Sequence, residues 1–503
     1  MSNTPPSLPA NLAITDLPTV LTRLFERVQR PLLAEAQGPL GLFVRYLRRK
    51  PERGLAVIYT VDEIRLSRQR GPDDPQRTVS LTLDEQALDG AQIRFNATQA
   101  QQAPLEVLPT GVLHIPDIGL SVQNFPADNG LPALSACCDT SPHSQLFAAL
   151  QTAARLHLQD PTWTLTGAYA EPVRYKPANR CVIRYHLQLT QLSHQAEQIQ
   201  RTLTLFGKVY TKPAQAHSVQ ALQQDLYEEQ IASEETPFLP HPLGLIDSLG
   251  LTLNEAIQVT HTQSQADEPW NRLRTGGQAL RPQVELGRDG TVAQVSIPTE
   301  ELRLTAQALA RLHHSSTRPS ENAPRTGTKE AKRARERAAL IAARNPTQAE
   351  QVQQCVQQLV SLLESLQPAR YLPAHGGFKS SQLLFHSHHV YVVDFDGFCL
   401  ADPALDVGYF LAYLRPSGLW YHKPGMRQWF EEAATVFRKT YRQEMLTRGT
   451  TQEIVEGILE RTQLYEAALL FKIATRRINR LNSPRPQELS AMLAEITLCL
   501  AQK

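Results

Sequence analysis

Between Pro373 and Leu414 the chain reads PAHGGFKSSQLL, then VVDFDG, then ADPALDVGYFL, and this run constrains the molecule more than any other. The apolar residues Val390 to Val393 have the character of a strand, and the strand ends on Asp394. A carboxylate at a strand end is a place where a hard divalent cation bridging phosphate groups can be held. A turn with His375, two glycines and Lys379 comes before it, and two more carboxylates, Asp402 and Asp406, come after it.

The rest of the composition sets bounds rather than a function. With 503 residues there is length for several domains, and 42% hydrophobic and 20% charged residues are ordinary for a soluble globular chain. The 51 Lys and Arg nearly cancel the 49 Asp and Glu, so no global field nominates nucleic acid or a membrane as partner. Cys137, Cys138, Cys181, Cys355, Cys399 and Cys499 show no metal-ligand spacing, which fits free thiols in a reducing compartment. The start, MSNTPPS, has no basic and apolar leader pattern, and no run reaches the ~18 apolar residues of a membrane span. The expectation is a soluble cytoplasmic protein.

Along the chain, residues 14–48 have helical spacing, with Leu17, Val20, Leu21, Leu24, Phe25 and Val28 at three- and four-residue steps. Short alternating runs follow at 55–59, 79–83 and 92–95, so the front third reads as a small α+β unit. A connector and a helix bearing Leu146, Leu150 and Ala153 fill 126–160. Strands are expected at 162–173, 180–190 and 202–210, then a helix at 219–230. A loop-rich stretch covers 262–300, and helices follow at 300–314, 329–344 and 348–366. There is also an internal echo: KPERGLAVIY from Lys50 to Tyr59 and KPANRCVIRY from Lys176 to Tyr185. Two hairpins of similar type would produce it; a decayed duplication of one lobe would too.

The stretch from Pro373 resembles the catalytic and metal loops of the aminoglycoside phosphotransferase-like kinases, a small-molecule branch of the protein-kinase-like fold. That family writes its catalytic loop H-G-D-x-x-x-x-N. Here the line is His375-Gly376-Gly377, ending on Gln382, so glycine stands where the family keeps its base Asp. The resemblance covers about residues 160–503. It implies an α+β, bilobal protein-kinase-like fold: an antiparallel-sheet N-lobe at 151–260 and a mostly helical C-lobe at 261–503. Residues 1–150 would form an additional α+β unit, cap-like on the N-lobe.

It also implies ATP and Mg²⁺ as cofactors, and roles residue by residue. Asp394 and Gln382 match the metal ligands. Lys379 matches a Lys that reaches the transferred phosphate. Lys208, mid-strand in LFGKVY, matches the N-lobe Lys on the α- and β-phosphates, with Glu228, or else Glu229, as its ion-pair partner. Lys176, Asn179 and Arg180 would stand in for a glycine-rich phosphate cradle, which the sequence lacks. His375 is expected to pack against the metal loop, and Asp402 and Asp406 to brace the catalytic loop. Asp396 is the nearby carboxylate that would serve as base or second metal ligand in place of Gly377.

Two charged features remain. The run KEAKRARER, Lys329 to Arg337, reads as a solvated helix face, with an acidic protein partner as the other reading. Residues 411–503 hold 14 Lys and Arg against 9 Asp and Glu, which disfavours cationic acceptors. The leading expectation is phosphoryl transfer to a hydroxyl of a small metabolite, a sugar or amino alcohol. The alternative is a pseudokinase that binds nucleotide and contacts a protein through the N-terminal unit or helix 329–344. A minor third reading keeps only the scaffold.

Overall fold

The computed structural model describes residues 17–32, 40–50, 54–63, 75–84, 88–89, 92–93, 102–192, 198–257, 273–320, 323–415, 423–478 and 485–501. The chain divides into two compact units. One comprises 1–220, 242–256 and 480–484, the other 221–241, 257–479 and 485–503. Helix Pro213–Ala232 is shared between them.

Among the described residues the first unit holds two larger antiparallel sheets and the short ribbon Leu88–Asp89 with Gln92–Ile93. In the first, the strands Leu40–Lys50, Gly54–Glu63, Thr78–Leu83, Leu120–Asn124, Leu113–Ile115 and Glu106–Val107 lie in that spatial order. Val20, Leu21, Leu24 and Phe25 of helix Leu17–Arg27 share one core with Leu55, Val57, Tyr59 and Val61, the alternate residues of the second strand. The helical spacing expected over 14–48 therefore stops at Arg27: Leu40–Lys50 is a strand. Leu40, Leu42 and Val44, two residues apart, pack on that same core, and the backbone pairs with Gly54–Glu63, so period two prevails.

The second sheet runs Thr164–Lys176, Arg180–Leu192, Gln198–Tyr210, Leu251–Glu255, Pro242–Ile246. Helix Gln145–Leu158 adds Leu146, Leu150 and Ala153 to a core with Cys181, Ile183, Tyr185, Leu187 and Leu189. The helix starts where the Ser144 hydroxyl accepts a bond of 3.0 Å from the Phe147 N–H.

Both sheets follow one plan. A helix precedes a three-strand meander, and a short strand, a 3₁₀ turn and a last strand return to pair with the third. Each 3₁₀ turn ends on a left-handed glycine, Gly119 (φ 56°) and Gly250 (φ 55°). The carbonyls of these glycines accept from the N–H of Asp84 (2.9 Å) and of Tyr210 (3.0 Å), at the ends of the two third strands. The echo between Lys50–Tyr59 and Lys176–Tyr185 thus belongs to a correspondence that runs across both sheets, which favours duplication over a chance pair of hairpins.

The second unit is mainly helical: Thr299–His314, Gly327–Arg344, Ala349–Glu364, Ala404–Leu414, Met426–Thr447, Gln452–Ile478 and Leu489–Ala501. Helix Ala404–Leu414 (ALDVGYFLAYL) is apolar on nearly every face and is buried on nearly every face. Gly408 lets helix Gln452–Ile478 approach it closely, since a Cβ there would stand 2.8 Å from the Glu466 nitrogen and the Thr462 carbonyl oxygen. Two short ribbons carry the loops of interest: Leu372–Ala374 with Cys399–Ala401, and Leu383–His386 with His389–Val392. No described helix is long and apolar enough to cross a membrane.

Candidate active site

The ribbon Leu372–Ala374 delivers the chain into His375-Gly376-Gly377. Gly376 is left-handed (φ 72°), and a Cβ on it would lie 2.0 Å from the Gly397 carbonyl oxygen, so only glycine lets these two loops cross. Gly377 differs: nothing lies within 4 Å of where its Cβ would be.

His375 is fully buried and joins three elements. Its backbone N–H donates to Asp406 Oδ2 at 2.6 Å, its ring Nε2 meets the Val393 carbonyl at 3.2 Å, and its ring packs 5.0 Å from that of Phe395. Burial pushes its pKa down, so the imidazole is neutral and Nε2–H is the donor to Val393. This is the packing role against the metal loop expected from the sequence.

Asp406 sits at the buried start of helix Ala404–Leu414, with His313 Nε2 at 3.6 Å. Burial opposes its ionisation, but the hydrogen bond and charge of His313 and the His375 N–H outweigh that and hold the carboxyl below its usual range. Asp402, also fully buried, accepts a fork from Arg461 at 2.7 and 3.0 Å.

The metal-loop residues come together. Asp394 follows strand His389–Val392 in a left-handed conformation (φ 73°), uncommon for a residue with a side chain. The Val393 N–H donates to the Gln382 carbonyl and the Gln382 N–H to that of Lys379, both at 2.9 Å, which fixes the turn Ser380–Gln382 beside the strand end. Gln382 Nε2 donates to Asp394 Oδ2 at 3.3 Å. Its other side-chain atom, Oε1, is buried with no hydrogen-bond partner. A buried oxygen without a donor, beside a carboxylate at a strand end, has the chemistry of a hard-cation ligand. The pair therefore fits Mg²⁺.

Lys379, in extended backbone (φ −162°), holds its ammonium 5.4 Å from the Tyr413 ring centroid. Asp396 lies half-buried in the 3₁₀ turn Phe395–Gly397 directly after Asp394.

In the first unit Lys208 sits on an interior strand, paired across to Val182 and Thr252. It points away from the core that Leu203, Leu205 and Val209 enter, with its ammonium 5.0 Å from the Tyr210 ring. The face it shares carries Phe206, with Arg184 at 5.5 Å, and the Arg184–Glu171–His186 cluster. Lys176 and Arg180 close the hairpin turn on which Ala178 is left-handed (φ 52°).

Glu228 is exposed on helix Pro213–Ala232 and accepts from Gln224 Nε2 at 2.6 Å. Glu229 is taken up by the hydroxyls of Ser315 and Thr317 and by the Ser316 N–H (2.7 Å). Burial works against its ionisation, but those bonds hold its carboxyl low.

The sequence reading missed Arg325. Its guanidinium donates to the Gly376 carbonyl (2.6 Å), the Tyr409 hydroxyl (3.0 Å) and the buried Glu330 (2.6 Å), clamping the glycine loop to two helices. Nothing about a lone Arg in APRTGT advertised this.

Residues 276–442 match the model of the phosphotransferase enzyme family, and that segment belongs to it. No curated protein matches the chain. Among solved structures the chain is similar to a choline/ethanolamine kinase family protein from Mesorhizobium loti, at 11% identity over 60% of this chain and 85% of that one, with a TM-score of 0.37. It is also similar to a choline kinase from Cryptosporidium parvum (12% identity, 67% and 89% covered, TM-score 0.40). A third is a glucosamine kinase (14% identity, 98% of each chain covered, TM-score 0.40). The family resemblance is borne out over the segment that carries both loops. The segment that carries both loops is of phosphotransferase type, and the described elements give the α+β fold expected, with antiparallel sheets in the first unit and a mainly helical second unit.

Proposed function

We propose that this protein transfers the terminal phosphoryl group of ATP to a hydroxyl of a small metabolite. The observation that carries this reading is the Gln382–Asp394 pair, with its orphaned buried oxygen at a strand end. Asp394 and Gln382 would hold Mg²⁺, which would neutralise charge on the phosphate groups. Lys208 would hold the α- and β-phosphates, with Glu228 as its counter-charge, and Lys176 and Arg180 would flank the nucleotide. Lys379 would steady the group in transfer.

Positioning and electrostatics supply most of the acceleration in phosphoryl transfer. A missing general base costs ~10²–10⁴ in rate, so Gly377 slows such an enzyme without abolishing it. Asp396, two residues past Asp394, is the carboxylate proposed to take the acceptor proton.

The test is ATP-dependent product formation by the full-length protein across a panel of hydroxylated metabolites, compared with Asp394→Asn. We expect transfer that the substitution abolishes, and turnover indifferent to it would refute the reading. Gly377 also motivates the pseudokinase alternative. Nucleotide binding lost in Asp394→Asn, with no transfer to any acceptor, would favour it.

A further inference from the structure

The second unit carries positive charge that these roles leave unused. Tyr409, 4% exposed on helix Ala404–Leu414, is its hub. Its hydroxyl accepts from Arg325 at 3.0 Å and from Lys472 Nζ, on helix Gln452–Ile478, at 3.0 Å. Both cations also lie against its ring, at 5.4 and 4.9 Å from the centroid. One turn on, the Tyr413 hydroxyl accepts from Arg476 at 3.3 Å. Helix Gly327–Arg344 adds Arg333 and the half-buried Arg337.

Against these cations one carboxylate stands in ion-pair contact among the described residues, Glu330, which is paired with Arg325 and Arg333. Among the described residues, no carboxylate lies within ion-pair distance of Arg337, Lys472 or Arg476. The imbalance is felt locally. Burial, with Arg476 and Arg337 nearby, holds the Lys472 ammonium below its usual pKa. The Tyr409 phenol is held low as well: burial opposes this, and Arg325 and Lys472 outweigh it.

Like charges packed together at partial burial repel strongly, because little solvent screens them. An oxyanion accepting from guanidinium forks and an ammonium would relieve that repulsion with charge-assisted bonds. The site also has a defined address. Arg325 bonds Tyr409 at one end and the Gly376 carbonyl (2.6 Å) at the other, so the cluster starts one guanidinium away from Gly377.

We propose that Arg337, Lys472 and Arg476, gathered around Tyr409 and Tyr413, bind an anionic group of the acceptor. The phosphorylated metabolite would then be a phosphate- or carboxylate-bearing sugar rather than a free amino alcohol. This rests on the phosphotransferase reading for the word acceptor, but the anion site itself can be tested separately.

The experiment is thermal unfolding of the full-length protein with inorganic phosphate or gluconate, against chloride at equal ionic strength. The proteins compared are wild type, Asp394→Asn, Lys472→Gln, Arg337→Gln and Arg476→Gln. Binding to the native state raises the midpoint by mass action. We expect at least one of the two anions to raise it in wild type and in Asp394→Asn, which places binding away from the metal pair. The shift should fall by half or more in the three cation variants, while their response to Mg·ATP persists. Arg476 is exposed, so its variant folds even if a more buried one does not.

Absence of any shift beyond chloride would overturn the anion site, as would equal shifts in all variants. Loss of the Mg·ATP response in wild type would instead sink the phosphotransferase reading and leave the anion result standing. A turnover comparison of glucose with gluconate and glucose 6-phosphate then distinguishes the two anion types. An anionic acceptor should be favoured by about tenfold or more, the worth of one charge-assisted hydrogen bond. Preference for glucose would overturn the acceptor assignment.

Discussion

Gly376 and Gly377 are adjacent glycines with opposite demands. A side chain at 376 meets the Gly397 carbonyl and a left-handed backbone, whereas the space beside 377 is open. Gly376→Ala should therefore cost at least ~1–3 kcal/mol from backbone strain alone, more with the clash, and should disrupt the Asp394 loop. Gly377→Asp should leave stability within ~0.5 kcal/mol, as surface substitutions usually do. With Mg·ATP and a working acceptor it should raise turnover by up to ~10²–10⁴, the usual contribution of a positioned base, and by less the better Asp396 already takes the proton. Urea unfolding and steady-state rates on both variants check this. If Gly377→Asp destabilises as Gly376→Ala does, the loop has no room for the family's carboxylate. If it is stable without gain in rate, the proton is already being taken elsewhere.

At the scale of elements, the joint between the glycine loop and helix Ala404–Leu414 is His375 on Asp406. The neutral, buried imidazole has a pKa below its usual value of 6.5. The unfolded chain takes up a proton below that pH which the folded chain refuses. Its contribution to stability is therefore intact above pH 6.5 and falls as the pH drops toward the depressed folded value. The limit is about 1.4 kcal/mol per pH unit for one proton. Asp406, held below its usual 3.8, adds a second loss only in stronger acid, as the pH falls from there through its folded pKa. Urea midpoints should thus decline between pH 7 and 5.5, and His375→Gln should show a shallower decline. His157, His314 and His386, also depressed by burial, supply the remainder. An unchanged slope would mean that His375 protonates freely in the fold. The element order around this joint was readable because strand alternation and helix stripes are local signals: the expected strand 180–190 is Arg180–Leu192, and the helix at 348–366 is Ala349–Glu364. Leu40–Lys50 was misread because Leu40, Leu42, Phe43, Val44, Tyr46 and Leu47 satisfy both periods until a hairpin partner chooses one. The pairing of Gln382 with Asp394 was readable as a motif. The Arg325 clamp and the Tyr409 hub were not, because they join residues 51 and 63 or more positions apart through tertiary contacts with no local pattern.

For the molecule as a whole, the duplicated sheet plan sets what the N-terminal copy can do. Leu83 pairs with Leu120 as Val209 pairs with Leu251, so Thr82, facing Ser121, occupies the place of Lys208, facing Thr252. At that position the first copy therefore carries a threonine in place of the cation. What it gives the second copy is a brace. Asp128, in the segment after the first copy's last strand, accepts from the Tyr175 hydroxyl (2.6 Å) and the Ala178 N–H (2.8 Å) with one oxygen. The other oxygen takes the Gly130 and Leu131 N–H groups at 2.7 and 3.1 Å. Gly130 packs so tightly on the turn that a Cβ there would lie 2.5 Å from the Ala178 Cα. The turn between Lys176 and Arg180 has no glycine to make it pliable, and a buried carboxylate fixes its shape instead. Asp128→Ala strands three donors, the Leu131 N–H keeping the backbone carbonyl of residue 128 at 3.2 Å, so a loss on the order of 2–4 kcal/mol is expected, since only some of them regain water. If Lys176 and Arg180 flank the nucleotide, loosening their turn should also weaken Mg·ATP binding by about tenfold, roughly 1.4 kcal/mol. Asp128→Asn, which keeps one acceptor oxygen, should fall between. Calorimetric titration of Mg·ATP beside urea unfolding separates the two effects. A variant that loses stability yet binds Mg·ATP as wild type does would leave the brace purely structural, and would remove Lys176 and Arg180 from the nucleotide site.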